Sequence, residues 1–240
     1  MKGIILAGGH GTRLYPLTKI TSKHLLPVGR FPMIYYAVKT FRDAGITEIL
    51  LVTAQKTAGA YIELFGSGKE WGVRLMYSVQ DDAGGIAQAL AQAEPFIASG
   101  EKLAVLLGDN LFEEPILPYV QQFDRQSGGA KVILKEVADP RPYGVPVFEN
   151  DRIVFIEEKP AQPKNNYCVT GLYMYDSEVF DVIRGIRPSA RGELEITDVN
   201  NTYAAKGDLS YNLISGWWTD AGTFESLHEA SGRYLRGGSS

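Results

Sequence analysis

Four short apolar runs, "GIILAG", "EILLVT", "VRLMYSVQ" and "KLAVLLGDN", recur through the first half of the chain, with helix-like segments between them. That alternation constrains the fold more than any other feature, because strands that take turns with helices predict an α/β protein. "PMIYYAVKTFRDAG" sets Ile34, Ala37, Val38 and Phe41 at helical spacing, and Gly45 ends the run. "TAGAYIELFG", "GGIAQALAQAEPFI" and "ILPYVQQFDRQ" read as further helices. From Ala130 the texture changes to the strands "AKVILKEV", "YGVPVFE", "RIVFIEEK" and "YCVTGLYMY", divided by turns and prolines. Helices return with "SEVFDVIRGI" and "EITDVNNTYAAKG", then come a strand "LSYNLI" and a last helix around "TFESLHEASGRYL". A single domain over 1–240 is expected, with residues 237–240 a frayed tail. In open α/β sheets the site lies beyond the carboxyl ends of the strands, where polar residues of this sequence collect.

Composition excludes several classes. The chain has 240 residues, enough to bury a sizeable core, and a formal charge of −4 with no basic run, so no nucleic-acid partner is expected. No apolar run reaches the roughly 18 residues of a membrane span, and "MKGIILAGG" lacks the pattern of a secretory leader. The expected location is the cytoplasm, with no membrane partner. The one cysteine, Cys168, has no partner for a disulfide and reads as a buried strand residue.

The first strand runs into "LAGGHGTRLYPLTKITSKHLLP", three glycines followed by an arginine and two lysines. A dinucleotide fingerprint would need G-x-G-x-x-G; Gly9 and Gly11 fit, but the third position is Leu14. A G-x-x-x-x-G-K-[ST] phosphate loop is also absent. What remains is a turn whose amides, at Gly8, Gly9, Gly11 and Thr12, can approach anionic oxygens. Arg13 offers a bidentate phosphate contact and Lys23 a point charge. The segment therefore reads as a holder of nucleotide phosphates.

"GIILAGGHGTRLYPLTKITSKHLLPVG" resembles the signature of the sugar-nucleotide pyrophosphorylases, or nucleotidyltransferases, and most of all their bacterial glucose-1-phosphate thymidylyltransferase branch. The similarity runs from Met1 to about Thr223 and takes in "QDDAGGIAQAL", "LLGDN", "YGV", "IEEKP", "VTGLYMYD", "ARGELEITDVN" and "WWTDAGT" in order. It implies a Rossmann-like three-layer α/β/α fold of the GT-A-like kind, around a mixed, mostly parallel sheet. Residues 1–129 would form the nucleotide-binding half and 130–236 the sugar-phosphate-binding half. The implied reaction joins dTTP to glucose 1-phosphate, giving dTDP-glucose and pyrophosphate. UTP in place of dTTP, a non-catalytic sugar-nucleotide sensor and a glycosyltransferase are the alternatives. A phosphate monoester is mostly a dianion at neutral pH, so the reaction needs cations, Mg²⁺ and positioning rather than a base.

The resemblance also assigns residues. Asp109, after "LAVLLG", and Asp220, in "WWTDAG", would hold Mg²⁺, a hard cation that takes oxygen ligands. Arg13 would stabilise the departing pyrophosphate, and Lys23 the charge at the α- and neighbouring phosphates. Lys159 and Arg191 would grip the attacking sugar phosphate. Gln80 and the backbone of Gly85 would read the base, with Leu6 also on the nucleotide, while Asn110, Tyr143, Gly144, Glu158, Val169 and Thr170 would meet the sugar. His24 stands where the resembled branch usually has glutamine, and is expected against the nucleotide sugar. His10, His24 and His228 do not have the spacing of a metal cluster. A homo-oligomer is expected; the regulatory nucleotide site built by the C-terminal extension of longer members is not carried over.

Overall fold

The computed structural model describes residues 1–9 and 11–236; His10 and the expected frayed tail 237–240 lie outside the described residues. The chain opens with β1 (Lys2–Ala7) and, after three single 3-10 turns, a small hairpin of β2 (Pro27–Val28) and β3 (Phe31–Pro32). Helix α1 (Met33–Asp43) follows, then β4 (Glu48–Ala54), α2 (Ala58–Phe65) and β5 (Arg74–Gln80). Gly45, at φ 77°, ends the α1 segment in the left-handed conformation that glycine adopts without strain. Next come α3 (Ile86–Ala91), β6 (Lys102–Leu107), β7 (Asn110–Phe112) and α4 (Leu117–Asp124).

The second half begins with β8 (Ala130–Glu136), the antiparallel pair β9 (Gly144–Glu149) and β10 (Arg152–Glu158), and the ten-residue β11 (Tyr167–Asp176). Helices α5 (Val179–Gly185) and α6 (Ile196–Lys206), β12 (Leu209–Ile214), β13 (Trp218–Asp220) and α7 (Phe224–Arg236) complete it.

One seven-stranded sheet, in the order β12-β8-β11-β6-β1-β4-β5, carries the fold. It is mixed and mostly parallel: β11 runs antiparallel to both its neighbours, and the other pairs are parallel. The pleat sends alternate residues to opposite faces. Ile4 and Leu6 therefore pack with Ala87, Leu90, Val179, Ile183 and Val199 from α3, α5 and α6. Ile5 and Ala7 pack with Ala37, Phe41, Tyr61, Phe65 and Phe123 from α1, α2 and α4. This is the expected three-layer arrangement.

Two expectations need correction. "GGIAQALAQAEPFI" is not one helix: α3 stops at Ala91, and a 3-10 turn, Glu94–Phe96, takes over. Pro95 explains the break, since it has no N–H to give and disfavours helical backbone at Glu94. The ribbon of β7 with β13 has no counterpart in the sequence reading. It pairs Asn110 with Asp220 across the outer end of the sheet, on a small third core of Val28, Met33, Tyr36, Leu111, Ala221 and Ala230.

Candidate active site

β1 and β6 are parallel neighbours, so their carboxyl ends deliver the opening loop and Asp109 to one place. Gly108 N donates to Leu6 O at 2.9 Å. A Cβ at Gly108 would lie 2.9 Å from the His24 ring and from Ile34, so only glycine lets the strand end settle this low. Asp109 is 6% exposed. One of its oxygens pairs with the Lys23 ammonium, and the other accepts from Asn110 Nδ2 at 3.0 Å. Burial alone would raise the Asp109 pKa, but the surrounding charges and hydrogen bonds, Lys23 foremost, together hold the carboxyl below its usual range. Burial likewise works against the Lys23 ammonium, and Asp109 with Asp220 together offset it, leaving the lysine pKa raised.

The β7–β13 ribbon brings the second carboxylate alongside. Ala221 N donates to Asp109 O at 2.8 Å, and Asp220 pairs in register with Asn110. Asp220 Oδ2 accepts from Arg13 Nη2 at 3.3 Å, while Oδ1 is buried with no hydrogen-bond partner among the described residues. Burial and then the Asp109 charge raise the Asp220 pKa, against Lys23 and Arg13. A buried orphan oxygen beside a second carboxylate calls for positive charge. A hard divalent cation fits that donor set, provided phosphates and water complete its shell; no group of three or more His, Cys, Asp or Glu side chains suited to a metal occurs among the described residues.

Asn110 ties this ribbon to the sugar half. Its Oδ1 accepts from Trp218 Nε1 and from Gly171 N, each at 2.8 Å. The resulting cleft is lined by Asn110, Tyr143, Gly144, Glu158, Lys159, Val169, Thr170, Arg191 and Asp220, among others. The β11–β8 register breaks between Val169 and Tyr173, which frees backbone there to face a ligand. The Thr170 hydroxyl is already spent, donating to Ile133 O at 2.9 Å. Lys159 holds a left-handed backbone, φ 48°, and its ammonium lies 3.2 Å from Glu158. Arg191 donates to Glu195 at 2.8 Å, and Thr197 Oγ1 donates to Glu158 at 2.6 Å. Tyr143 packs edge-on to Trp218, and burial, with Asp220, pushes its hydroxyl up to about 12.

The opening loop lies across β1's end from Gln80, the last residue of β5. Gly9 and Gly11 have φ of 93° and 61°, so their amides can turn outward where other residues would be strained. Arg13 is largely exposed and Lys23 largely buried. Leu6 is buried under the loop, and Thr12 opens a 3-10 turn that carries Arg13. Gly85 approaches so closely that a Cβ would come within 2.8 Å of Leu194 N. Leu194 N donates to Gly84 O at 2.8 Å and Ala87 N to Leu194 O at 3.1 Å, stitching the Gly85 loop to the Arg191 loop.

His24 departs from expectation. It does not line the cleft: it is 1% exposed, with Nδ1 3.1 Å from Ser22 Oγ, which also accepts from Tyr61 OH at 2.8 Å. Burial, with the Lys23 charge second, lowers the His24 pKa to about 3. An unfolded histidine titrates near 6.5, so between these values only the unfolded chain takes up the proton. Stability from this residue is therefore complete above pH 6.5 and lost as pH falls toward 3. Between pH 7 and pH 5 the loss from His24 should be about 2 kcal/mol. Urea titrations of the wild type and of His24→Asn should show it as the difference between their pH dependences; equal dependences would contradict it.

Sequence reasoning placed Gln88 one helical turn beyond the Gly85 loop without a contact, and assigned no role to Glu195, Thr197 or Gly171. All four lie inside the quoted motifs, but only their partners give them work.

Carboxylates and cations alternating at the strand ends of a three-layer α/β sheet define a protein that handles phosphates, and the chain belongs to the nucleotidyl transferase family, whose model matches residues 2–237. Among curated relatives, the glucose-1-phosphate thymidylyltransferase of Neisseria gonorrhoeae is 46% identical over 235 residues, 96% of this chain and 81% of the relative. That of Mycobacterium tuberculosis is 45% identical over the same shares. A crystal structure from Bacillus anthracis, provisionally described as a glucose-1-phosphate thymidylyltransferase and complexed with sucrose, matches at a TM-score of 0.94 and 54% identity. The match covers 98% of this chain and 95% of that one. A UDP-glucose pyrophosphorylase complexed with UDP-glucose matches at 0.88 and 26% identity, covering 98% of each.

Proposed function

We propose that the chain is a glucose-1-phosphate thymidylyltransferase, which transfers the thymidylyl group of dTTP to glucose 1-phosphate and releases pyrophosphate. The observation that carries this reading is the cluster of Arg13, Lys23, Asp109 and Asp220 at the ends of β1, β6 and β13, next to a cleft lined by Lys159 and Arg191. The curated relatives' shared name supports the choice of substrates.

The sugar-phosphate dianion needs no base, so the protein's task is to bring two polyanions together in line. Lys159 and Arg191 hold the attacking phosphate, and Glu158, braced by Thr197, faces the sugar with the backbone of Gly144, Val169 and Thr170. Gly8, Gly9, Gly11 and Thr12 offer amides to the nucleotide phosphates, and Lys23 sits beside them. Arg13 neutralises the pyrophosphate as the bond to the α-phosphorus breaks. Asp109 and Asp220 would hold Mg²⁺, which when bound would offset charge on the nucleotide phosphates. Gln80 and the Gly85 backbone read the base, and Tyr143 and Asn110 shape the sugar pocket. His24 supports the Lys23 turn from below.

The test is pyrophosphate release from glucose 1-phosphate and Mg²⁺ with dTTP, UTP, CTP, ATP or GTP supplied separately. Fast release with dTTP is expected. Faster release with UTP would move the protein to uridylyl transfer, and no release with any nucleotide would leave another sugar phosphate or the sensor reading.

A further inference from the structure

The amide of Gln80 is usually free to turn, presenting either a donor or an acceptor. Here it cannot turn. Gly84 N lies 2.9 Å from a side-chain atom of Gln88, and a backbone N–H only donates, so that atom is the Gln88 oxygen. The same oxygen lies 2.7 Å from the Gln80 amide. An oxygen only accepts, so the end of Gln80 that faces it is Nε2. Gln80 Oε1 is thereby turned the other way, toward the opening loop, 2.5 Å from where a Cβ of Gly8 would stand. Gln80 is 6% exposed and ends β5, so little else can relieve the arrangement.

Gln88 is itself held in place. It belongs to α3, whose Ala87, Ala89 and Leu90 are buried in the core. A Cβ at Gly84 would strike its amide at 2.6 Å, so a side chain at residue 84 would push the Gln88 amide from this position.

We propose that Gln88 is a specificity-determining positioning residue: by holding the Gln80 Nε2 end, it fixes Gln80 Oε1 as the acceptor offered toward the nucleotide base. The inference rests on the reading that Gln80 faces the base. A fixed acceptor suits a pyrimidine whose ring nitrogen carries a hydrogen, as in thymine and uracil. Cytosine presents a lone pair at that nitrogen, so two acceptors would meet and one buried polar group would go unpaired. Sites that depend on such a bond discriminate steeply.

The test compares dTTP with dCTP, which share the deoxyribose and differ in the base, in the wild type and in Gln88→Met, Gln88→Ala and Gln88→Glu. Methionine keeps the length of the side chain and loses the acceptor, whereas glutamate keeps an oxygen for both donors. The kcat/KM preference of the wild type for dTTP should be on the order of a thousandfold or more. Gln88→Met should cut that preference at least roughly tenfold, by lowering dTTP use and raising dCTP use, while Gln88→Glu keeps it. Gln88→Ala gives a second reading if the methionine variant does not fold. Equal losses with both nucleotides, leaving the ratio unchanged, would make Gln88 merely structural and overturn the inference. A wild type that uses dCTP as well as dTTP would instead overturn the base-reading role of Gln80, whatever the variants do.

Discussion

Asp109→Asn should lower turnover roughly a hundredfold to a thousandfold, the scale on which preorganised electrostatic groups act. Asparagine matches the carboxylate in shape and still accepts a hydrogen bond. It removes the negative charge that holds the Lys23 ammonium and that is proposed to hold the metal. Lys23 is mostly buried, and a buried cation stripped of its partner is costly, about 3–5 kcal/mol when it stays charged. A fall in melting temperature should accompany the loss of activity, so the assay must use protein shown to be folded at the working temperature. Pyrophosphate release at saturating substrates is the measurement. Turnover within tenfold of wild type in folded Asp109→Asn would remove Asp109 from the mechanism.

Arg13→Ala should have the opposite profile. Arg13 is 57% exposed and makes one 3.3 Å contact, to Asp220. Exposed pairs of this kind contribute about 0–1 kcal/mol, so the melting temperature should barely move. An arginine that meets charge only as the leaving group departs can contribute about a thousandfold or more. Turnover should fall on that scale with KM for glucose 1-phosphate nearly unchanged. Arg13→Lys should recover little, because lysine cannot make the bidentate contact. A variant with normal turnover would show that pyrophosphate leaves without help from Arg13.

The two substitutions read different layers of what the sequence made visible. Strands such as "GIILAG" and "KLAVLLGDN" were legible because an apolar run buried on both faces leaves a dense signature. Asp109 was legible because it follows such a run. β7 and β13 were not, because three residues carry no period, and their pairing depends on a core of Val28, Leu111 and Ala221 drawn from distant segments. The motif around Asp220 marked the residue but said nothing of its neighbour. His24 shows the reverse error: its place in the loop suggested a ligand contact, whereas direction relative to the strand end is a tertiary property, set here by Ser22, Tyr61 and the missing side chain at Gly108. The Gln80 amide could be proposed as a base reader from the family resemblance, yet which end it offers follows only from Gly84 and Gln88.

The ribbon that sets Asp220 beside Asp109 joins residues 110–112 to 218–220. Contacts over so long a span of chain close slowly, since the intervening loop must lose its freedom first. During synthesis, the strands that present Arg13, Lys23 and Asp109 precede the last carboxylate by nearly half the chain or more. The protein can therefore assemble most of its nucleotide loop and still lack the paired carboxylates. Competence for chemistry should arrive late and at once, when the final segment docks, rather than growing in step with the sheet.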